Sequence, residues 1–578
     1  MKRRTFLKLA GIGTLSAAAG CQVEPEKHLY SLVQAPDDLV TGMPSWYATT
    51  CRECPAGCGI IAKTRENRVI KLEGNPLHPV NRGALCLRGQ AALQGVYHPD
   101  RLKTPLLREG GSFREIPFAQ AADLLTARTA AAAAKGPGRV RMISETVGAT
   151  LLFLFNQALA RWRSPAPLIF EPLALDGLKT ANRLVFGVDG LPLYRLENAD
   201  LLLGFGADFL ETWLSPVAYA RAFKAMHGFA DGRKAVFWQI SPYQNLTGAN
   251  ADVWLACRPG SEAAAALTLL GKVLEKGRGG HIPGPLRQTL AKALSSFETG
   301  RAAHWTGVAE QELERLAGAL LTARKPLVLG PGAGGTTAAH LAVNLLNWAL
   351  DPGLSLIDLA ARQRVEIAAG IGQGAAFFRS LSQEPVDVVL IHQTNPVYVL
   401  PGGAEAVAGL ARTDLFKVVF TAFMDETAAR ADLVFPIRLP LETFDEYDGR
   451  RGLVSLLQPV ANGLTAAPAM GDVLLKAAFD SDTPAPDYQA LVLSQLQRRG
   501  LVRSRKDWLR ALQSGGVFDS SEETLVDARP ATDLQEKAAG LFSALKEPPA
   551  GPVLVAAPSL RFYDGRGANR PWLCEHPD

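Results

Sequence analysis

The run Cys51-Arg52-Glu53-Cys54-Pro55-Ala56-Gly57-Cys58-Gly59 places three thiols within eight residues, and a fourth, Cys86, follows after 27 intervening residues in Leu85-Cys86-Leu87-Arg88-Gly89. A cubane iron–sulfur cluster needs four thiolates converging on one point, which a tight three-cysteine loop and one cysteine returning from a distant turn can supply. Pro55, Gly57 and Gly59 favour such a loop. Structural zinc is the alternative, but zinc sites favour paired two-cysteine knuckles. A disulfide pair would have no use for the third close cysteine. The spacing therefore points to Cys51, Cys54, Cys58 and Cys86 as ligands of one [4Fe-4S] cluster. Three other cysteines, Cys21, Cys257 and Cys574, stand alone.

Upstream of the loop, Lys2-Arg3-Arg4-Thr5-Phe6-Leu7-Lys8 resembles the twin-arginine export pattern, and a short, weakly apolar stretch follows it. Ala18-Ala19-Gly20-Cys21 resembles a lipoprotein cleavage box, with Cys21 as the acylated first residue of the mature chain. The expectation is export by the twin-arginine route and lipid anchoring at the periplasmic face of the membrane. A plain secretory peptide with an incidental cysteine is the alternative.

The whole chain has 578 residues, 47% hydrophobic and 20% charged, with 54 Gly and 38 Pro. That is a multidomain globular composition rich in turns. A net charge of +5 from 61 basic and 56 acidic residues, with no long basic block, argues against a nucleic-acid partner. No run of 18 apolar residues occurs, so membrane attachment must come from the N-terminus or from partners.

Downstream, LLLGFGAD (201–208), AVFWQISP (235–242), PLVLGPGAGG (326–335), DVVLIHQTNP (387–396) and KVVFTAF (417–423) are short apolar runs ending in Gly, Pro or polar residues. Helix-like stretches separate them, and the pattern predicts an α/β fold with parallel strands. Ligands of such sheets sit beyond the strands' carboxyl ends, so Gly204, Gly206, Gly330, Gly332, Gly334 and Asn395 are candidates for contacting a dinucleotide phosphate. Each glycine serves equally well as a tight strand-to-helix turn. The alanine-rich stretch near 126–136 reads as a helix end, and the basic run Arg498–Lys506 as a solvated linker surface.

The four cysteines, Asn81-Arg82-Gly83-Ala84-Leu85-Cys86-Leu87-Arg88-Gly89-Gln90 and the passage from Val96 to Pro105 resemble the molybdopterin oxidoreductase, or dimethyl sulfoxide reductase, family. Later segments agree in order: Ala199-Asp200, Cys257-Arg258-Pro259-Gly260-Ser261-Glu262, Asn395-Pro396, Asp425-Glu426-Thr427 and Ala431 to Pro436. The resemblance implies a signal over 1–21, a [4Fe-4S] domain over 45–105 and two interleaved α/β domains over 106–461. A connecting region over 462–550 and the first strand of a truncated pterin-binding-like domain over 551–578 complete it. Arg88 matches the family position of a Lys or Arg between the cluster and the nearer pterin, where a cation steadies the charge of the reduced cluster; a solvated or phosphate-facing arginine is the other reading.

Catalytic members hold the metal through Cys, selenocysteine, Ser or Asp upstream of a strand like LLLGFGAD. Here no cysteine lies between Cys86 and Cys257, and Ser164 and Asp176 are the substitutes at hand, each more simply a helix cap. From Phe170 through Val217, and again from Pro558 to Leu573, the chain resembles the branch of molybdenum-free large peripheral subunits of alternative complex III and of the menaquinone reductase complex. The branch implies electron transfer with iron–sulfur, cytochrome and quinone-binding membrane subunits. Two rivals stay open: a catalytic molybdenum or tungsten reductase carrying molybdopterin guanine dinucleotide, and a non-redox assembly subunit.

Overall fold

The apolar runs become strands. Leu201–Gly204, Val236–Ser241 and Pro326–Leu329 join Val253–Ala256 in a four-stranded parallel sheet, in the order 253, 236, 201, 326. The strands from Leu201 and Pro326 are buried along their whole length, which is why they read as unbroken apolar runs. Val388–His392 and Phe416–Phe420 lie in a seven-stranded sheet with Leu433–Phe435, Val140–Ser144 and Leu168–Ile169, all mutually parallel. Leu106–Glu109 and Ser112–Glu115 extend one edge antiparallel. Strands from both ends of the sequence thus build the seven-stranded sheet, while the four-stranded sheet arises from the segment between them. The fold is α/β, as the periodicity predicts.

The computed structural model describes residues 42–229, 234–295, 301–461, 463–479, 485–518 and 526–576. Cys21 and the export pattern lie outside these residues. All described residues from Ser45 onward belong to one unit. No helix among them is long and apolar enough to cross a membrane.

Three antiparallel strands, Ser45–Thr50, Gly59–Arg65 and Arg68–Gly74, frame the cysteine loop. The helix Leu87–Tyr97 follows, with Cys86 at its N-cap. This region is fastened to the body by a buried pair: Arg101 donates from Nη1 and Nη2 to the two Glu442 carboxylate oxygens at 2.8 and 2.7 Å. Helix Thr337–Leu350 is buried from Ala338 to its end, and its asparagines are bonded where they are buried: Asn344 donates to Asn182 and Asn347 to the Val328 carbonyl, each at 2.8 Å. Its N-cap Thr336 accepts from the Ala339 amide at 3.2 Å.

The stretch 462–550 holds helices Met470–Phe479, Tyr488–Arg498, Arg505–Ser514 and Leu534–Ser543. The basic side chains of the run 498–506 lie exposed, as expected of a solvated surface, and Arg499, exposed like the rest, also donates to the buried Glu446 carboxylate at 2.7 Å. The strand expected after residue 551 does not form. Residues 552–558 carry no regular secondary structure and are largely exposed, and turns over 560–569 lead to the short helix Pro571–Glu575.

In the seven-stranded sheet the chain leaves Val140–Ser144 toward Leu168–Ile169 on one side and leaves Val388–His392 toward Phe416–Phe420 on the other. The junction of the 140 and 388 strands is therefore a topological switch point. Open α/β sheets bind ligands in the crevice beyond the carboxyl ends at such points.

Candidate functional site

The cysteine loop is closed by its own backbone: the Cys51 amide donates to the Cys58 carbonyl at 2.8 Å. Gly57 has φ of +65°, and a Cβ there would meet the Tyr447 ring at 2.6 Å, so conformation and space both demand glycine. Tyr447 in turn donates its hydroxyl to the Pro55 carbonyl at 2.8 Å. Asn81 ties this loop to the distant turn. Its Oδ1 accepts from the Gly59 amide at 2.9 Å, and its Nδ2 donates to the Gly59 and Ala84 carbonyls at 2.8 and 2.6 Å. The loop and the fourth cysteine, remote in sequence, are thereby held side by side.

All four cysteines are free thiols, with Cys51, Cys54 and Cys58 buried and Cys86 partly exposed. Burial pushes the thiols of Cys51, Cys54 and Cys58 up, and thiolate charge on neighbouring cysteines adds to it. Against them lies Arg88, 1% exposed, whose three guanidinium nitrogens have no hydrogen-bond partner among the described residues. Burial works against its charge, but Cys54 and Cys86 outweigh that and hold it protonated. A buried cation whose nitrogens have no hydrogen-bond partner, beside thiols that burial disfavours as thiolates, is a costly arrangement that an anionic thiolate-bound centre resolves. The residues fit a [4Fe-4S] cluster on Cys51, Cys54, Cys58 and Cys86. Among the described residues, these cysteines included, no three His, Cys, Asp or Glu side chains are grouped closely enough to share a single metal ion, whereas a cubane spreads its four thiolates over four irons.

Beyond Arg88 the structure brings in residues the sequence reading does not single out as site residues. The Tyr563 ring lies 4.3 Å from the Arg88 guanidinium carbon and 5.3 Å from that of Arg566. Arg566 sits at the switch point. It donates to Asp564 from Nε at 2.8 Å and Nη2 at 2.6 Å, and to Glu171 from Nη2 at 2.7 Å, with Glu145 at 3.6 Å. Glu171 also accepts from the Thr146 hydroxyl at 2.8 Å. Arg52 donates to the Thr146 carbonyl, stacks on Tyr447 at 3.6 Å and stands 4.0 Å from Glu145.

These distances set the charges. Burial opposes ionisation of Asp564, yet Arg566 outweighs it and holds the carboxyl below its usual range, while Asp564 and Glu171 hold Arg566 protonated. Glu145 has only the longer contacts; burial pushes it up to about 7 despite Arg52 and Arg566. His392, at the end of its strand and 2.8 Å from the Ser144 hydroxyl, is pushed by burial down to about 3 and stays neutral. The cavity left between Arg52, Glu145, Val147, His392 and Gln393 measures about 50 Å³. That is room for a few waters. A pterin dinucleotide is far larger than this cavity.

The glycine candidates lie elsewhere. Gly204 and Gly206 follow one strand of the four-stranded sheet and Gly330 and Gly332 follow its neighbour, and a Cβ on Gly332 would lie 3.0 Å from the Gly206 carbonyl. Gly204 is approached by Gln239 and Gly330 by His340, at 2.0 and 2.4 Å from an added Cβ. Gly206 has φ of +98° and Gly334 of +82°. Asn395, in the turn after strand Val388–His392 of the other sheet, donates to Glu426 at 2.6 Å and accepts from Thr427 at 2.7 Å. None of these six joins the cysteine site. Asp176 is engaged by Lys179 at 2.8 Å and by the Gly370 amide at 3.1 Å. Ser164 accepts from the Val140 amide at 3.2 Å.

Comparison with known proteins follows the same outline. The Molybdopterin oxidoreductase Fe4S4 domain family matches residues 44–98, and the Molybdopterin oxidoreductase family matches residues 101–467. The chain is 30% identical over 459 residues to the menaquinone reductase, molybdopterin-binding-like subunit of Nitratidesulfovibrio vulgaris, covering 75% of this chain and 65% of that protein. It is 24% identical over 507 residues to nitrate reductase of Symbiobacterium thermophilum, covering 76% and 65%. The chain thus spans just under two thirds of the length of these relatives. Among solved structures, acetylene hydratase from Pelobacter acetylenicus matches with a TM-score of 0.63 at 16% identity, over 85% of this chain and 81% of that one, a likeness of fold.

Proposed function

Because the chain belongs to the molybdopterin oxidoreductase family, we propose that it is the iron–sulfur electron-transfer subunit of a membrane-associated quinone oxidoreductase complex and works without molybdenum. The observation that carries the reading is the pairing of four free cysteines with the buried, unpartnered Arg88. Bound on these thiolates, a [4Fe-4S] cluster supplies one-electron transfer. Arg88 offsets the negative charge that builds up on reduction, and the buried loop keeps water from three of the four sulfurs. Cys86, partly exposed, is the ligand on the side of the cluster that a partner could reach.

The absence of molybdenum is favoured by the filled crevice and by the lack of a thiol ligand between Cys86 and Cys257. Quinone chemistry and iron–sulfur, cytochrome and quinone-binding membrane partners are inferred from the similarity to the menaquinone reductase subunit. Metal analysis of the anaerobically purified chain tests the core of the proposal. The expected result is about four irons per polypeptide without molybdenum or tungsten. Stoichiometric molybdenum or tungsten would make the chain a catalytic reductase instead, and zinc without iron would leave an assembly role.

Export by the twin-arginine route and lipid anchoring at Cys21, on the periplasmic face, belong to the same proposal. Cys21→Ser is expected to release the protein from membranes in cells that lack the partner subunits. Undiminished membrane retention of that variant would rule the anchor out.

A further inference from the structure

The switch-point crevice is where this kind of sheet binds its ligand, and here the chain's own side chains stand in it. Arg566 reaches the crevice from a turn nearly four hundred residues downstream of Glu171 and binds three carboxylates there. Its segment is fastened at both ends of the contact. Tyr563 packs against Arg88, and Arg570 donates to Glu53 at 3.1 Å. A Cβ on Gly95 would lie 2.4 Å from the Arg570 guanidinium, so helix Leu87–Tyr97 admits that arginine only because residue 95 lacks a side chain. The Trp572 amide donates to Gln94 at 2.9 Å on the same helix. Glu171 is fully buried, so without Arg566 the crevice would keep Glu171 and Glu145, with Arg52 standing 4.0 Å from Glu145 as the remaining cation. Such a site selects a planar cation with forked donors, which is a guanidinium.

We propose that residues 559–575 are a tethered occupant of the ligand crevice, with Arg566 as its guanidinium anchor, so that the crevice is filled from within the chain rather than by a diffusible cofactor. The inference deepens the molybdenum-free reading and rests on it, but the two are tested apart: metal content tests that reading, and the seating of the segment tests this one.

Hydrogen–deuterium exchange of the wild-type chain comes first. The amides of Tyr563, Gly565, Ala568, Arg570 and Leu573 are bonded within the segment, and are expected to exchange at least a hundredfold more slowly than those of residues 553–557. Equal exchange of the two stretches would show that the segment is not seated, and the proposal would fall. Arg566→Ala is expected to speed exchange in 559–575 at least tenfold. Guanidinium chloride at low millimolar concentration should reverse this saturably, while sodium chloride at equal ionic strength should not. If Arg566→Ala does not fold, Arg566→Lys, which keeps charge but loses the fork, is expected to give partial loosening that guanidinium does not correct. Exchange in Arg566→Ala that matches wild type, or that both salts slow alike, would overturn the anchoring role.

Discussion

Cys54→Ala is expected to empty the cluster site and to loosen the domain around it. Iron should fall from about four per chain to below one, with loss of the cluster's visible absorbance, because three thiolates leave one corner of a cubane open to solvent and chelators. The structural effect follows from Arg88. In the loaded protein its guanidinium faces bound thiolates; in the variant the buried thiols of Cys51 and Cys58 sit in a setting that favours their protonated form. Arg88 then becomes an uncompensated buried cation, a situation that costs about 3–5 kcal/mol. The region 45–98 should relax to hydrate it, seen as faster proteolysis and amide exchange there. Adding Arg88→Met in the same chain should recover much of the lost stability without restoring iron, since the double change removes the cation along with its missing partner. Retention of four irons by Cys54→Ala, or equal stability of the single and double variants, would contradict the assignment.

How much of this site could be read from the sequence depended on whether its chemistry was local. The three-cysteine loop and Cys86 stand out because ligand identity and spacing are written in adjacent residues. The parallel strands are legible for a similar reason: burial on both faces leaves an unbroken apolar run, as in Val388–His392, where every residue is buried. The crevice network was not legible. Glu145, Glu171 and Arg566 lie on three separate segments, and nothing in the spacing of an isolated Glu or Arg reveals a partner hundreds of residues away. One signal was present: Glu145 immediately follows the strand Val140–Ser144, where an α/β sheet delivers residues to its ligand crevice. The glycines after Leu203 and Leu329 drew attention by the same rule. In the structure their missing side chains make room for Gln239 and His340, so the rule located the strand ends without telling a ligand contact from a packing contact. The run from Pro558 to Leu573 was visible as a resemblance, yet its role is tertiary: Tyr563 and Arg570 are significant only because Arg88 and Glu53 are where they are.

Glu442→Leu is expected to destabilise the chain by about 3–5 kcal/mol, the cost typical of leaving one member of a buried ion pair without its partner. Arg101 and Glu442 have side chains 3% and 1% exposed, so water cannot take over the lost contacts. The pair does more than neutralise charge. Arg101 Nη1 also donates to the Val96 carbonyl at 3.0 Å, near the C-terminal end of the helix that begins after Cys86, and Glu442 accepts from the Leu439 amide at 3.1 Å. It therefore joins the cysteine-bearing region to the strands that follow Phe435. Replacing both, as Arg101→Met with Glu442→Leu, removes the uncompensated cation; the Leu439 amide is stranded in the single variant as well, so what the second change adds is the Val96 carbonyl, at about 1–3 kcal/mol. The expected order of stability in urea unfolding is therefore wild type, then the double variant, then the single one. Because helix Leu87–Tyr97 carries Cys86 at its N-cap, the single variant should also lose iron to a chelator faster than wild type, although it lacks no cluster ligand. A Glu442→Leu chain within 1 kcal/mol of wild type, or one that holds iron equally long, would mean that the cysteine region is secured by its own loop hydrogen bonds and Asn81 rather than by this pair.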